Sequence, residues 1–389
     1  MAKTNWPAVA AAGLSTFSVV TSEMLPVGLL VPITQSLEMS VGAGGLMLFV
    51  PAAVAALLAP LVVVAAGGVD RRRIICGLLA LLVCANLATA FAPSMTWLLL
   101  ARVLVGVSMG GIWAIAGGLA SRLADKRAIG LATAVIFGGV AAASVLGVPL
   151  GAFIGDAFGW RMAFGAMAGL SALVLLVNAL ALPSLPVAEA VSFRQLKQQC
   201  LNPRLQLGFA ITLFLVAGHF MAFTFVRPVM QFHSGVDVAW ISPLLFGYGA
   251  IGIAGNFIAG VTAARHVGRT LLAICLLLAL TLFVYPWLGQ GVIGGAVLLL
   301  LWGLAYGGVS VSVQTWTMKM AGTAVEPATA LLVTVFNLGI ATGAVLGMPS
   351  VDTFGLQVNL MLAGGSVVVA LLLVTRMLAV LRTAGREAG

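Results

Sequence analysis

From Gly139 to Pro149 the chain reads GVAAASVLGVP, and from Gly339 to Pro349 it reads GIATGAVLGMP. Both place Val-Leu-Gly-x-Pro behind a glycine, at an offset of 200 residues. Each is followed by an Asp-x-Phe-Gly turn, Asp156 to Gly159 and Asp352 to Gly355. Two further pairs fall at nearly the same offset. Gly106, Gly110 and Gly111 match Gly303, Gly307 and Gly308, and Pro26-Val27 matches Pro228-Val229. Three pairs at nearly one offset mark an internal duplication, and a duplicated apolar chain is the sequence signature of a membrane protein built from structural repeats.

The stretches around these pairs are apolar throughout. Of 389 residues, 62% are hydrophobic and 7% charged, against about 25% charged in a soluble domain. A soluble fold so apolar would expose aggregation-prone surface everywhere; a bilayer removes that objection. The 47 glycines suit helices packed closely in lipid. The apolar runs are continuous and do not alternate, which argues against a transmembrane barrel. Segments of about 20 residues recur between short polar breaks. They predict twelve spans: 7–31, 43–67, 74–92, 97–120, 129–155, 162–182, 205–231, 239–263, 270–288, 292–318, 328–350 and 357–381. The run from Pro7 is read as a retained first span, since no clear cleavage site follows it. The expected fold is an all-α membrane protein of two pseudo-symmetric six-helix bundles, 1–182 and 205–389. Residues 183–204 form a linker with a short surface helix around Phe193, Leu196 and Cys200.

The net charge of +9 is distributed as topology and not as a nucleic-acid surface. Lys3, Arg71 to Arg73, Arg122, Lys126, Arg127, Arg194, Lys197, Arg204, Arg265, Arg269, Lys319, Arg376, Arg382 and Arg386 all fall on one side of the span pattern. Glu38, Asp156, Asp237 and Asp352 fall on or near the other, with Arg161 and Arg227 as basic exceptions. The positive-inside rule then puts both termini in the cytoplasm of a bacterial-type inner membrane. Cys76, Cys84, Cys200 and Cys275 lie outside the predicted outer loops, so no disulfide is expected. There is no Walker loop, no His-Glu-x-x-His and no Cys-x-x-Cys, so neither ATP hydrolysis nor a metal site is expected, and the chain does not read as an enzyme.

Several motifs together resemble the major facilitator superfamily, and within it the twelve-span drug:proton antiporters. Span 1 carries Glu23-Met24-Leu25-Pro26-Val27-Gly28-Leu29-Leu30; the loop after span 2 carries Asp70-Arg71-Arg72-Arg73. Span 4 opens Ala101-Arg102-Val103-Leu104-Val105-Gly106, and span 5 ends Gly147-Val148-Pro149-Leu150-Gly151 before Gly159-Trp160-Arg161. The loop motif departs from the family pattern in placing Ala66 where a glycine is usual, with Gly67 and Gly68 displaced. Gly218-His219-Phe220, Phe223 to Pro228, Gln314, Trp316 and Phe336 to Gly339 are similar to a narrower branch that includes purine ribonucleoside and sugar efflux transporters. The segment Gly110 to Ala114, around Trp113, is most similar to the purine ribonucleoside type.

Glu23 is the only acidic residue placed deep within a span, about eight residues or roughly 12 Å from its outer end. An intramembrane acid is costly and is a functional candidate by default. It can carry a proton, or it can be a structural carboxyl tied to Thr21 or Ser22. Arg102 lies at similar depth in span 4; it can modulate Glu23 or form a permanent ion pair with it. His219 can relay protons, or it can stay neutral and bond a backbone carbonyl. Asn256, Gln314 and Asn337 can bond a neutral polar ligand or join helices, and Trp113 and Trp316 can stack on a planar ligand or pack. Gln314 and Trp316, two apart, do not face one point. The resemblance implies a conformational latch at Asp70, Arg71 and Arg72. Gly139, Gly147, Pro149 and Gly151 read as a bend and close-packing motif.

The resulting expectation is a secondary transporter that exports a small molecule in exchange for protons by alternating access, spans 1, 4, 7 and 10 lining a cavity. It needs no cofactor beyond the proton gradient. Its partners are protons, substrate and the bilayer, with no nucleic acid, and the family implies a monomer. A proton-coupled importer and a non-transporting sensor are the alternatives.

Overall fold

A computed structural model describes residues 4–65, 69–125, 128–186, 193–322 and 324–387. Lys3, Ala66, Gly67, Gly68, Lys126 and Arg127 lie outside the described residues. The described chain is helical, with no strand, and forms two compact units, Met1–Gln195 and Leu196–Gly389. The division falls inside the stretch 183–204, where a helix covers Phe193–Cys200 with Leu196 buried.

In the first unit span 1 is one helix, Trp6–Ser36; span 2 is Leu46–Ala65 after a tight turn at Gly42–Gly45; span 3 is Arg71–Ala90 and span 4 Met95–Leu123. Span 5 has three parts: Ile129–Ala142, a wide π turn at Ala143–Gly147, and Val148–Phe158. Span 6 is Trp160–Ala181. In the second unit span 7 runs Pro203–Phe223, breaks at Thr224 and Phe225, and continues as Val226–Pro228 and the π turn Val229–His233. Spans 8 and 9 are the arms of Val238–Leu288 on either side of a break at His266, whose φ of −139° and ψ of 61° are not helical. Span 10 is Val292–Gly307 followed by Val309–Met320. Spans 11 and 12 are the arms of Val325–Glu387 on either side of Gly355, whose φ of 83° needs a residue without Cβ. Among the described residues ten apolar helical stretches are long enough to cross a membrane. Two of them, broken at His266 and Gly355, supply two crossings each, since each arm exceeds about 20 residues.

Glycine seams hold each unit. In the first, a Cβ at Gly139 would overlap the Gly13 carbonyl and Thr16 of span 1, and one at Gly147 would overlap Thr21. The Thr16 hydroxyl donates back across the seam to the Ile136 carbonyl at 2.5 Å. In the second unit Gly339 lies against Val216, and Gly347 against Phe225 and the Met221 carbonyl of span 7. The duplication is thus preserved as packing: span 5 on span 1, and span 11 on span 7. Where lipid supplies no hydrophobic drive between helices, such close approach is what holds them.

Candidate functional site

Two prolines shape the centre of the first unit. Pro26 lies inside span 1 and Pro51 inside span 2. A proline has no N–H to give the carbonyl four residues earlier, so Ser22 and Met47 lose their helical partners. Arg102 supplies both. Its Nη1 donates to the Ser22 carbonyl at 2.8 Å, its Nε to the Met47 carbonyl at 3.1 Å, and its Nη2 to the Glu23 carbonyl at 2.8 Å. The guanidinium is fully buried and joins spans 1, 2 and 4. The sequence reading had Arg102 and Glu23 pair or share a water network, and the two charges do lie near enough to interact. The structure directs the hydrogen bonds of Arg102 to main-chain oxygens, two of which, at Ser22 and Met47, lack a helical donor because of proline.

Glu23 is 4% exposed, and among the described residues its Oε1 has no hydrogen-bond partner, nor does Thr21 Oγ1. Ser22 Oγ is engaged elsewhere, accepting from Asn86 Nδ2 at 2.9 Å. The carboxyl is therefore not tied to Thr21 or Ser22. It also lies deeper than the sequence suggested. Span 1 stays helical through Pro32 to Ser36, which sets Glu23 about 20 Å from that end. On the neighbouring face a buried polar chain links spans 1, 3 and 6: Ser18 to Ser171 at 3.1 Å, and Asn86 Nδ2 to Ser171 at 3.3 Å. Asn178 Nδ2 donates to the Ala11 carbonyl at 3.0 Å. Sequence reasoning passed over Asn86 and Asn178, although an amide inside an apolar span was the available signal.

The second unit has an aromatic centre. His219 is buried, stacked on Tyr306 (centroids 3.2 Å, planes 7° apart) and on Phe223 (4.9 Å, 21°). Phe223 stacks in turn on Tyr248 (4.9 Å, 26°), and Trp302 meets His219 edge-on (5.7 Å, 82°). Trp302 Nε1 donates to His219 Nδ1 at 2.9 Å. An indole N–H can only donate, so Nδ1 accepts, and the neutral ring carries its proton on Nε2. The partner is an indole and not the backbone carbonyl considered from sequence. Tyr248, Trp302 and Tyr306 were not singled out, because they come from spans 8 and 10, far from His219 in the chain.

The other candidates disperse. Trp113 is half-buried against Phe137 (5.9 Å, 34°) in the first unit's core. Gln314 Nε2 donates to Thr329 Oγ1 at 3.1 Å. Trp316 is buried where Gly208 makes room, its Nε1 donating to the Arg204 carbonyl at 3.2 Å. Asn337 is buried and donates to its own helix at Val333 (2.9 Å); Asn256 is half-buried in span 8. Pro149 and Gly151 follow the π turn of span 5, with Gly151 against Leu25 of span 1. Arg227, a basic exception in the sequence pattern, is buried at 2% exposure.

Asp70 caps span 3. It accepts from the Arg72 amide at 2.9 Å, from the Leu185 amide at 3.0 Å and from the Ser184 hydroxyl at 2.5 Å. The Ser184 hydroxyl, then the Leu185 amide, hold its carboxyl below the usual aspartate value. The Arg71 amide donates to the Leu185 carbonyl at 3.1 Å, and Arg72 Nη2 to the Ala179 carbonyl at 2.6 Å. The loop motif is thereby fastened to the exit of span 6 within its own unit.

Twelve membrane-crossing segments in two repeated halves, with a sealed acid in one and a buried histidine among aromatics in the other, define a polytopic transporter and not an enzyme. The chain belongs to the Major Facilitator Superfamily, whose family model matches residues 12–344. It is 33% identical over 374 residues to the purine ribonucleoside efflux pump NepI of Salmonella paratyphi B, covering 96% of this chain and 94% of the pump. It is 34% identical over 364 residues to the pump of that name from Salmonella enteritidis PT4, covering 94% and 92%. Among solved structures it resembles the human organic anion transporter MFSD10 (TETRAN), with a TM-score of 0.67 at 17% identity over 95% of this chain and 98% of that one. That likeness speaks for the fold alone.

Proposed function

We propose that this chain exports purine ribonucleosides or similar small polar metabolites across a bacterial inner membrane in exchange for protons, by alternating access and without a bound cofactor. The observation that carries the coupling is the Glu23 carboxyl, buried mid-span with Oε1 unbonded. A charge in such a place is expensive and marks ion or proton pathways. Arg102 is spent on carbonyls and does not hydrogen-bond the carboxylate, so the proton is the natural partner of this acid. The substrate class rests on the similarity to the purine ribonucleoside pumps. Cytoplasmic termini follow from the distribution of basic residues.

Purified protein in liposomes with a pH dye inside provides the test, with inosine, adenosine and guanosine offered in turn. Proton movement triggered by a nucleoside, and abolished in Glu23→Gln with nucleoside binding retained, is the expected result. Proton movement unchanged in Glu23→Gln would overturn the coupling assignment. Failure of every nucleoside to move protons or to bind would overturn the substrate assignment.

A further inference from the structure

A cavity of about 420 Å³ opens in the second unit between the two arms of Val238–Leu288 and span 10. Its size falls in the range of roughly 300–1,000 Å³ typical of ligand sites. Close glycine contacts build its back wall. Gly255 lies against the Leu304 carbonyl, and Gly308 against Ala259, so spans 8 and 10 touch at the backbone. Span 9 leaves at the His266 break and closes the other side. The wall is apolar, formed by Ile258, Ile274, Leu277 and Leu304. The two threonines on it are spoken for: Thr262 Oγ1 donates to the Ile258 carbonyl at 2.9 Å and Thr270 Oγ1 to the His266 carbonyl at 3.1 Å.

One end of the cavity is different. His266 and Arg269 line it, both exposed, and Arg265 is exposed beside them. From Val238 to Val325 the sequence holds no aspartate or glutamate, so nothing acidic within these spans neutralises that end. Lys319, the remaining cation of this stretch, is held at the Ala263 and Ala264 carbonyls at 3.3 and 2.8 Å, where it caps span 8. Next to the opening Phe257, Ile258 and Val261 are 69%, 59% and 65% exposed, as residues that face acyl chains are. The crevice therefore joins a greasy slot that opens toward lipid to a cationic end at a span terminus. Basic pockets between spans are the kind of place that holds anionic headgroups.

We propose that this crevice binds an anionic glycerophospholipid, with an acyl chain along Ile258, Ile274, Leu277 and Leu304 and its phosphate at Arg269. A neutral lipid would fill the slot and leave the charge unmatched. Free phosphate would match the charge and leave the slot empty.

The test is native mass spectrometry of the whole purified protein, released from detergent containing equal amounts of palmitoyl-oleoyl phosphatidylglycerol and phosphatidylcholine. Retention of phosphatidylglycerol over phosphatidylcholine by about fivefold is expected, the worth of one basic side chain near an anionic headgroup. Arg269→Gln should abolish the preference and Arg269→Lys should keep it. Since Arg269 is exposed, neither change disturbs the core. Ala273→Trp, which fills the slot from the exposed side, should lower retention of both lipids. Equal retention in the wild type, a preference that survives Arg269→Gln, or displacement of the lipid by glycerol 3-phosphate alone would each overturn the proposal.

Discussion

The two halves share their seams and differ at their centres. Gly139 and Gly147 bring span 5 onto span 1 as Gly339 and Gly347 bring span 11 onto span 7. Aligned through Pro26 and Pro228, Glu23 matches Phe225 and Phe17 matches His219; through Gly106 and Gly303, Arg102 matches Leu299. The first half thus concentrates acid, guanidinium, serine and asparagine where the second concentrates rings. Backbone continuity follows the same division. Span 1 crosses Pro26 as one helix, because Arg102 takes the carbonyl that proline strands. Span 7 meets Pro228 with a leucine at the position matching the arginine, and it breaks at Thr224 and Phe225. The reverse holds one layer out. Span 5 opens into a π turn before Pro149, whereas span 11 passes Pro349 without leaving the helix. Duplication has kept the packing that makes a bundle and let each half settle its prolines separately.

The strongest way to break this comparison is to make span 1 resemble span 7. Arg102→Leu leaves the Ser22 and Met47 carbonyls buried without donors, at about 1–3 kcal/mol each. An ordinary interhelical hydrogen bond in a membrane is worth about 0.6 kcal/mol, so the orphaned carbonyls dominate the loss. The thermal unfolding temperature in detergent should drop sharply, and the amides of Met24, Leu25, Val27 and Gly28 should exchange faster. Wild-type exchange in that segment would show that span 1 needs no arginine to stay whole. A smaller effect is expected from His219→Phe, which keeps a ring in the stack and strands the Trp302 N–H, at about 1–3 kcal/mol. The Trp302 indole band in ultraviolet resonance Raman should shift to that of an unbonded N–H, and His219→Gln should restore an acceptor. An unshifted band would mean that the hydrogen bond does not organise the aromatic centre.

The smallest effect is local and depends on pH. Asp70 is half-buried, and its carboxyl is held low by Ser184 and Leu185. A depressed carboxyl contributes its full stabilisation above its unfolded value and loses it as pH falls through the folded value. Exchange protection of the Leu185 amide should therefore be flat from neutral pH down to the ordinary aspartate range and fall below it. In Asp70→Asn it should be low throughout. The loop between spans 8 and 9 has no acidic residue, and the end of span 8 is capped by Lys319 of span 10 instead, so its protection should show no such acid edge.

The twelve crossings and the duplication were legible because apolar runs and glycine spacing are properties of the chain itself. The interruptions were less so. Whether Pro26 breaks a helix depends on a guanidinium 76 positions later, and no local pattern carries that. The prolines four residues after Ser22 and Met47 were nonetheless a readable hint that two bare carbonyls would need a donor. Glu23 stood out because an acid inside an apolar run is conspicuous. The rings around His219 did not, since Tyr248, Trp302 and Tyr306 look individually like ordinary span residues and acquire meaning only when three spans meet.

The Arg102 clasp also imposes an order on synthesis. Spans 1 and 2 are translated before residue 102, so the two bare main-chain oxygens are made before their donor. Span 4 then arrives carrying an arginine whose insertion alone costs about 2.5–3.5 kcal/mol. Each defect is the remedy for the other. The first hairpin is accordingly complete in its hydrogen bonding only once the fourth helix has docked. Substitutions at residue 102 should be felt first as lost protein in the membrane, before any question of transport arises.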